Sequence, residues 1–276
     1  MPSHLKKTTS RQKRHSLPSR YRSKKSNSSW SGDQLIYFGL EDVENKLRDI
    51  ANTIKRTTFE AYTRIGGRTL EELLGGPNIP EQEASQFNIE ELKVVLARLG
   101  KSGGSAENRI TDLIESGKIS EKQHGYLRSF LTQLLEVYAT GKEQEKAIED
   151  FVSIINSYWE NDFDEKSFVF NKENVSTRVE NRFTGTTLPL NALSSGEKQI
   201  VSIFARLYLN NDKRFIVLID EPELSLSMDW QQRFLRDILL SPSCDQLIAI
   251  THSPFVFDNE LDRFAGPLKI TNRQQS

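Results

Sequence analysis

Apolar side chains recur at helical spacing along the first half of the chain. Leu40, Val43, Leu47, Ile50 and Ile54 are separated by three, four, three and four positions, which places them on one helix face. The stripe covers about two heptads, short for a long coiled coil. The segment GGPNIPEQEAS, Gly75–Ser85, then breaks the pattern with glycine and proline. Further helices are predicted over 88–99, 106–116, 120–140 and 142–160. The last two carry Leu127, Phe130, Leu131 and Leu134, then Phe151, Ile154, Ile155 and Tyr158. No internal repeat is present, and residues 33–161 read as a mainly helical subdomain without a catalytic pattern.

After Asn161 the texture changes. KSFVFNKENVSTRVENRF alternates apolar and polar residues around Lys172-Glu173-Asn174, as a hairpin does. A helix over 194–210, a strand over 214–220, a helix over 228–240 and a strand over 246–251 follow. Helices alternating with wholly apolar strands predict an α/β lobe over 162–276, with parallel strands buried on both faces. In such sheets the ligand sits beyond the carboxyl ends of the strands. Asp220 and Glu221 follow the first of these strands, and Thr251, His252 and Ser253 follow the second.

Composition adds limits. The 276 residues, 36% hydrophobic and 27% charged, suffice for a sizeable core and one or two domains. The single cysteine, Cys244, excludes an internal disulfide and suits a reducing compartment. No apolar run approaches the roughly 20 residues of a membrane span. The basic start has no apolar segment of signal-peptide type behind it, so a soluble, cytoplasmic protein is expected. The net charge of −1 hides an asymmetry: residues 1–32 hold nine Lys or Arg and no acid, leaving −10 on the rest. Such an arm is either a solvated, partly disordered tail or a phosphate-contacting nucleic-acid arm.

Adjacent carboxylates at a strand end point different ways and can divide two tasks. One holds Mg²⁺, mostly through water, and the other orients or deprotonates an attacking water. His252 could then contact a phosphate oxygen under transfer. Taken singly, the acidic pair is equally a solvated turn and the histidine a structural one. The turn Ser194-Ser195-Gly196-Glu197 fits the S-x-x-E capping box. Capping leaves Gly196 unexplained, because glycine inside a helix costs about 1 kcal/mol relative to alanine. Close approach of a phosphate to the helix N-terminus would explain it.

Taken in order, these pieces resemble one family. LSSGEKQ resembles an ABC-type signature motif, FIVLIDEPE a Walker B strand with its glutamate, LSLSMDWQ a D-loop, and ITHSP a switch histidine. DEPELSL with THSPF is similar to the AAA/ABC-like P-loop ATPases of the SMC, RecF and OLD group, which includes ATPases of bacterial antiphage systems. The resemblance covers roughly residues 165–260 and implies the C-terminal part of an ABC-type ATPase head, using ATP and Mg²⁺. It implies that Ser194, Ser195, Gly196 and Glu197 bind the γ-phosphate of ATP held by an opposite protomer. Asp220 would hold the Mg²⁺ shell, Glu221 would polarise the attacking water, and His252 would steady the γ-phosphate. Ser225 and Leu226 would cross the dimer interface. Glu223 is typical of the subgroup, whereas Ser227-Met228 stands where His-Pro is common.

A Walker A sequence is the missing piece. GKSGGS, Gly100–Ser105, resembles the end of a P-loop, but Val95 stands at the required glycine and the preceding IEELKVVLARL is helical. Gly100 reads instead as a helix C-cap before a flexible loop. Elsewhere in the chain nothing fits G-x-x-x-x-G-K-[ST]. The arm HSLPSRYRSKK resembles the segment that follows the first nucleotide-binding strands in such ATPases, a third reading of residues 1–32 as the remnant of an N-terminal lobe. The expectation is the C-terminal part of an ATPase from a truncated or split gene, inactive by itself. It would work as a homodimer or with a complementary P-loop-containing subunit, in DNA transactions or antiphage defence, with DNA and a co-encoded nuclease or other effector as further partners. The alternatives are a non-hydrolysing partner subunit and a nucleic-acid-binding module acting through its basic arm.

Overall fold

Two long helices form the spine of the structure, a computed structural model that describes residues 39–76, 87–99, 104–160, 165–210 and 212–267. The basic arm, most of the Gly75–Ser85 break and Gly100 lie outside the described residues. Helix α1, Leu40–Gly75, opens with the Asp42 carboxylate accepting from the Gly39 N–H at 2.9 Å and ends at Gly76, whose φ is 99°. Its apolar stripe continues well past the two heptads as Val43, Leu47, Ile54, Ala61 and Ile65.

Helix α4, Gly125–Tyr158, is continuous where two helices were expected to meet near Gly141. The reason is packing. Gly141 lies near Ile54 of α1, where a Cβ would make only ordinary contact, and burial of Leu134, Tyr138, Ile148 and Phe151 on either side of it outweighs the roughly 1 kcal/mol that glycine costs inside a helix. Ser129 of α4 donates to Glu72 of α1 at 2.8 Å, so the two helices run antiparallel.

The helices serve two cores. Far along α1, Ile65 joins Leu131, Leu134 and Tyr138 of α4 and the short helices α2, Ile89–Leu99, and α3, Gly104–Glu115. The other ends of α1 and α4 bury Val43, Leu47, Ile54, Phe151, Ile155 and Tyr158 in the core of the α/β lobe. A buried ion pair stands beside the joint: Arg98 of α2 grips Glu145 of α4 through two 2.9 Å bonds and also donates to the Lys172 carbonyl.

The expected hairpin is present as β1, Lys166–Asn171, and β2, Ser176–Asn181, and a short β3, Thr187–Leu188, extends it into an antiparallel meander. Helix α5, Ser195–Tyr208, leads to β4, Phe215–Asp220; helix α6, Met228–Leu239, crosses to β5, Cys244–Ile250, which pairs with β4 in parallel. The lobe is therefore α/β, with a mainly helical part attached. One expectation is corrected. Val217, Ile219, Leu247 and Ala249 pack on the core, but the opposite face is uncovered among the described residues. There Ile216 is 64%, Leu218 71%, and Ile248 and Ile250 each 49% exposed. No helix among the described residues is long and apolar enough to cross a membrane.

Candidate functional site

Parallel pairing brings the two polar strand ends together. Asp220 lies in register with Ile250, and the Glu221 N–H donates to the Ile250 carbonyl at 2.8 Å, so the ladder runs one residue beyond β4. Thr251 and His252 therefore emerge beside Asp220 and Glu221. Glu221 has φ 48° and Ser225 φ 66°. A left-handed backbone costs a residue with a Cβ about 1–3 kcal/mol and persists only where its surroundings impose it. Here they do so through short turns, Leu224 N–H to the Glu221 carbonyl at 3.2 Å and Leu226 N–H to that of Glu223 at 3.1 Å.

Glu223 joins the two strand ends. Its carboxylate accepts from the Thr251 hydroxyl at 2.7 Å and from the His252 N–H at 2.8 Å. Desolvation acts to raise its pKa, but bonds from the Thr251 hydroxyl and from the backbone N–H groups of His252, Glu223 and Ser253 outweigh it. The carboxyl is held below its ordinary range. Gln231 of α6 fastens the same loop from the other side: it accepts from the Ser253 hydroxyl at 2.7 Å and donates to the Leu226 carbonyl at 2.9 Å. Ser227, at the departure from the usual His-Pro, caps α6 by accepting from the Trp230 N–H at 3.4 Å.

The signature-like turn forms the full capping box. Ser194 Oγ accepts from the Glu197 N–H at 3.3 Å, and the Glu197 carboxylate accepts from the Ser194 N–H at 2.5 Å. Glu197 is buried and also held by Lys166 Nζ at 2.8 Å, so its carboxylate serves the turn itself. The N–H groups of Ser195 and Gly196 remain as donors that the helix cannot satisfy. What approaches Gly196 closely is the protein's own backbone, because a Cβ there would overlap the Ser225 carbonyl oxygen. Gln199 adds a bond to the Pro222 carbonyl at 3.3 Å, so α5 and the loop after β4 form one unit.

A division of labour follows. The side chains of Glu197, Glu223, Gln231 and Ser253 are committed to the framework. Those of Asp220, Glu221 and His252 make no hydrogen bond or ion pair to any described residue, and Asp220 and His252 are exposed. Asp220 fits one position of a hard, oxygen-seeking Mg²⁺. Among the described residues no three His, Cys, Asp or Glu side chains converge on a metal site. A cleft of about 410 Å³ between α1 and the β1–β2 meander lies apart from these residues. Lys166 carries no sequence signal for this role, because only folding joins it to the signature-like turn. Gln199 and Gln231 close the segments LSSGEKQ and LSLSMDWQ, but their partners, the Pro222 carbonyl and the Ser253 hydroxyl, follow no fixed spacing.

A family profile described as "AAA domain, putative AbiEii toxin, Type IV TA system" matches residues 5–258. The chain belongs to this family. It is an AAA-type ATPase domain, of a class that in general uses ATP and Mg²⁺. Two solved structures are similar at 15% identity. One is an SMC head bound to the C-terminal winged-helix domain of ScpA, with a TM-score of 0.31 over 68% of this chain and 52% of that one. The other, derived from Pyrococcus furiosus, is an SMC head with an extended coiled coil bound to the C-terminal domain of ScpA, with a TM-score of 0.33 over 78% and 55%. The chain thus spans about half the length of these structures. No curated protein matches it.

Proposed function

We propose that this chain supplies the hydrolytic and signature elements of an ATPase that works as a nucleotide-sandwich dimer. The observation that carries the reading is the convergence of Asp220, Glu221 and His252, with uncommitted side chains, on one rigid pair of strand ends. Asp220 would hold Mg²⁺ through its water shell, and the ion would supply neutralisation of the phosphate charge. Glu221 takes a proton from water as its oxygen bonds to the γ-phosphorus and the bond to the β-phosphate oxygen breaks, leaving ADP and inorganic phosphate. His252 donates a hydrogen bond to the γ-phosphate. The N–H groups of Ser195 and Gly196, with the Ser194 hydroxyl, contact the γ-phosphate on the opposite protomer, and Ser225 and Leu226 lie at the dimer boundary.

The phosphate cradle comes from a P-loop lobe, carried on a longer form of the same polypeptide or on a companion subunit. The uncovered apolar face of β4 and β5 supports this, since parallel sheets are ordinarily covered on both faces. The family match begins at residue 5, within the basic arm, which supports reading the arm as part of that lobe. The family description names a toxin of a toxin–antitoxin system, which favours a defence role. The test is Glu221→Gln in an assembly that contains the P-loop. Hydrolysis slows by about 10²–10⁴-fold while ATP-dependent dimers persist, because the amide keeps the shape but cannot take the proton. An unchanged rate removes Glu221 from the mechanism.

A further inference from the structure

The two strand ends are held together by a carboxylate to which the chemistry above gives no part. Glu223 lies in the loop after β4 and spends both oxygens on the segment after β5, one on the Thr251 hydroxyl and one on the His252 N–H. Thr251 Oγ1 in turn accepts from the Ser253 N–H at 3.0 Å, and Gln231 takes the Ser253 hydroxyl. The backbone on either side of His252 is therefore tied down while its imidazole stays exposed and uncommitted. A loop that had only to stay folded would gain nothing from fixing the backbone at an exposed residue from two elements. A loop that must present an imidazole in one direction needs such fixing.

We propose that Glu223 is a positioning residue that clamps the segment after β5 to the loop after β4 and thereby fixes the direction of the His252 side chain. The role in hydrolysis rests on the ATPase reading above; the clamp itself does not. Charge-assisted bonds to a carboxylate are among the stronger ones, so losing this acceptor frees the loop without removing any packing group.

Amide hydrogen exchange on the full chain tests the clamp without nucleotide. In Glu223→Ala the His252 and Ser253 amides exchange on the order of tenfold to a hundredfold faster, while those of Ile200–Phe204 in α5 keep their parental rates. His252→Ala leaves exchange in the segment unchanged, because the clamp holds backbone. Parental exchange at His252 in Glu223→Ala overturns the proposal. If the alanine variant fails to fold, Thr251→Val decides. It removes one of the two bonds to Glu223, and the His252 amide, whose own acceptor is kept, speeds up roughly tenfold; parental exchange at His252 again overturns the clamp.

In an assembly with a P-loop, Glu223→Ala and His252→Ala lower kcat to a similar extent with KM for ATP little changed, and the double variant loses no more. Independent, additive losses would mean that Glu223 acts on its own, which overturns its positioning role. If His252→Ala hydrolyses ATP at the parental rate, the hydrolytic reading of the site falls, and the exchange measurement still decides the clamp.

Discussion

Gly196, in the first turn of α5, lies directly against the carbonyl of Ser225, in the loop between β4 and α6. A Cβ at position 196 would overlap that oxygen, with the Ser225 carbonyl carbon at 3.2 Å and Leu226 Cδ2 at 3.5 Å. Ser225 has φ 66°, and α5 is further tied to this loop by Gln199. Neither partner can give way easily. The glycine is therefore required by tertiary packing before any nucleotide is considered.

Gly196→Ala separates this reading from one in which only phosphate needs the space. On helix propensity alone the substitution would stabilise by about 1 kcal/mol. Overlap with backbone makes it destabilising, by about 1–3 kcal/mol in urea unfolding of the chain without nucleotide. A stabilised variant would show that the loop moves aside freely.

Leu218, 71% exposed at the centre of the uncovered sheet face, tests the covering lobe. Leu218→Glu changes the stability of this chain by no more than about 0.5 kcal/mol, as at other exposed positions. In the assembly with the P-loop lobe it abolishes association, because the charge would be buried unpaired. Size-exclusion chromatography of the mixed proteins provides the measurement. Unimpaired association would place the partner elsewhere.

The 276-residue chain by itself is expected to bind MgATP very poorly and to hydrolyse none at a measurable rate. In P-loop enzymes the loop's N–H groups and lysine make most contacts to the β- and γ-phosphates. The turn at Ser194 offsets little of that loss, since an exposed helix terminus contributes about 0.3–1 kcal/mol. Calorimetry checks this. Micromolar affinity that disappears in Asp220→Ala would mean that the chain builds a complete nucleotide site.

Alkaline pH probes the joint between α4 and α6. Burial first, then the Asp237 carboxylate that accepts from its hydroxyl at 2.8 Å, push the Tyr158 phenol well above its ordinary pKa. A raised folded pKa means that this stability is present below the unfolded value, about 10, and is lost as pH rises beyond it. Urea midpoints should fall above about pH 10, and Tyr158→Phe should flatten part of that fall. An equal slope in the variant would assign the loss to other groups.

The elements around the site were legible because their signals are local. A capping box needs residues three apart, and the structure forms it at Ser194 and Glu197. The apolar runs of β4 and β5 announce strands, and parallel pairing then obliges Asp220 and Glu221 to stand beside Thr251 and His252. The sequence alone thus determined the α/β character of the lobe, the order of its motifs and the end of the sheet at which the polar residues gather. Only the tertiary structure decided what each group is used for. Glu197 turned inward to Lys166, Glu223 became the link between two strand ends, Gly196 met the Ser225 carbonyl, and burial on both sides of Gly141 carried α4 through it. The unbroken apolar run of β4 suggests burial on both faces but cannot ensure it, because coverage depends on which other elements arrive there. Hydrogen bonds between residues 28 to 31 positions apart, and contacts across helix faces, follow no sequence period, so they exist only once the chain has folded.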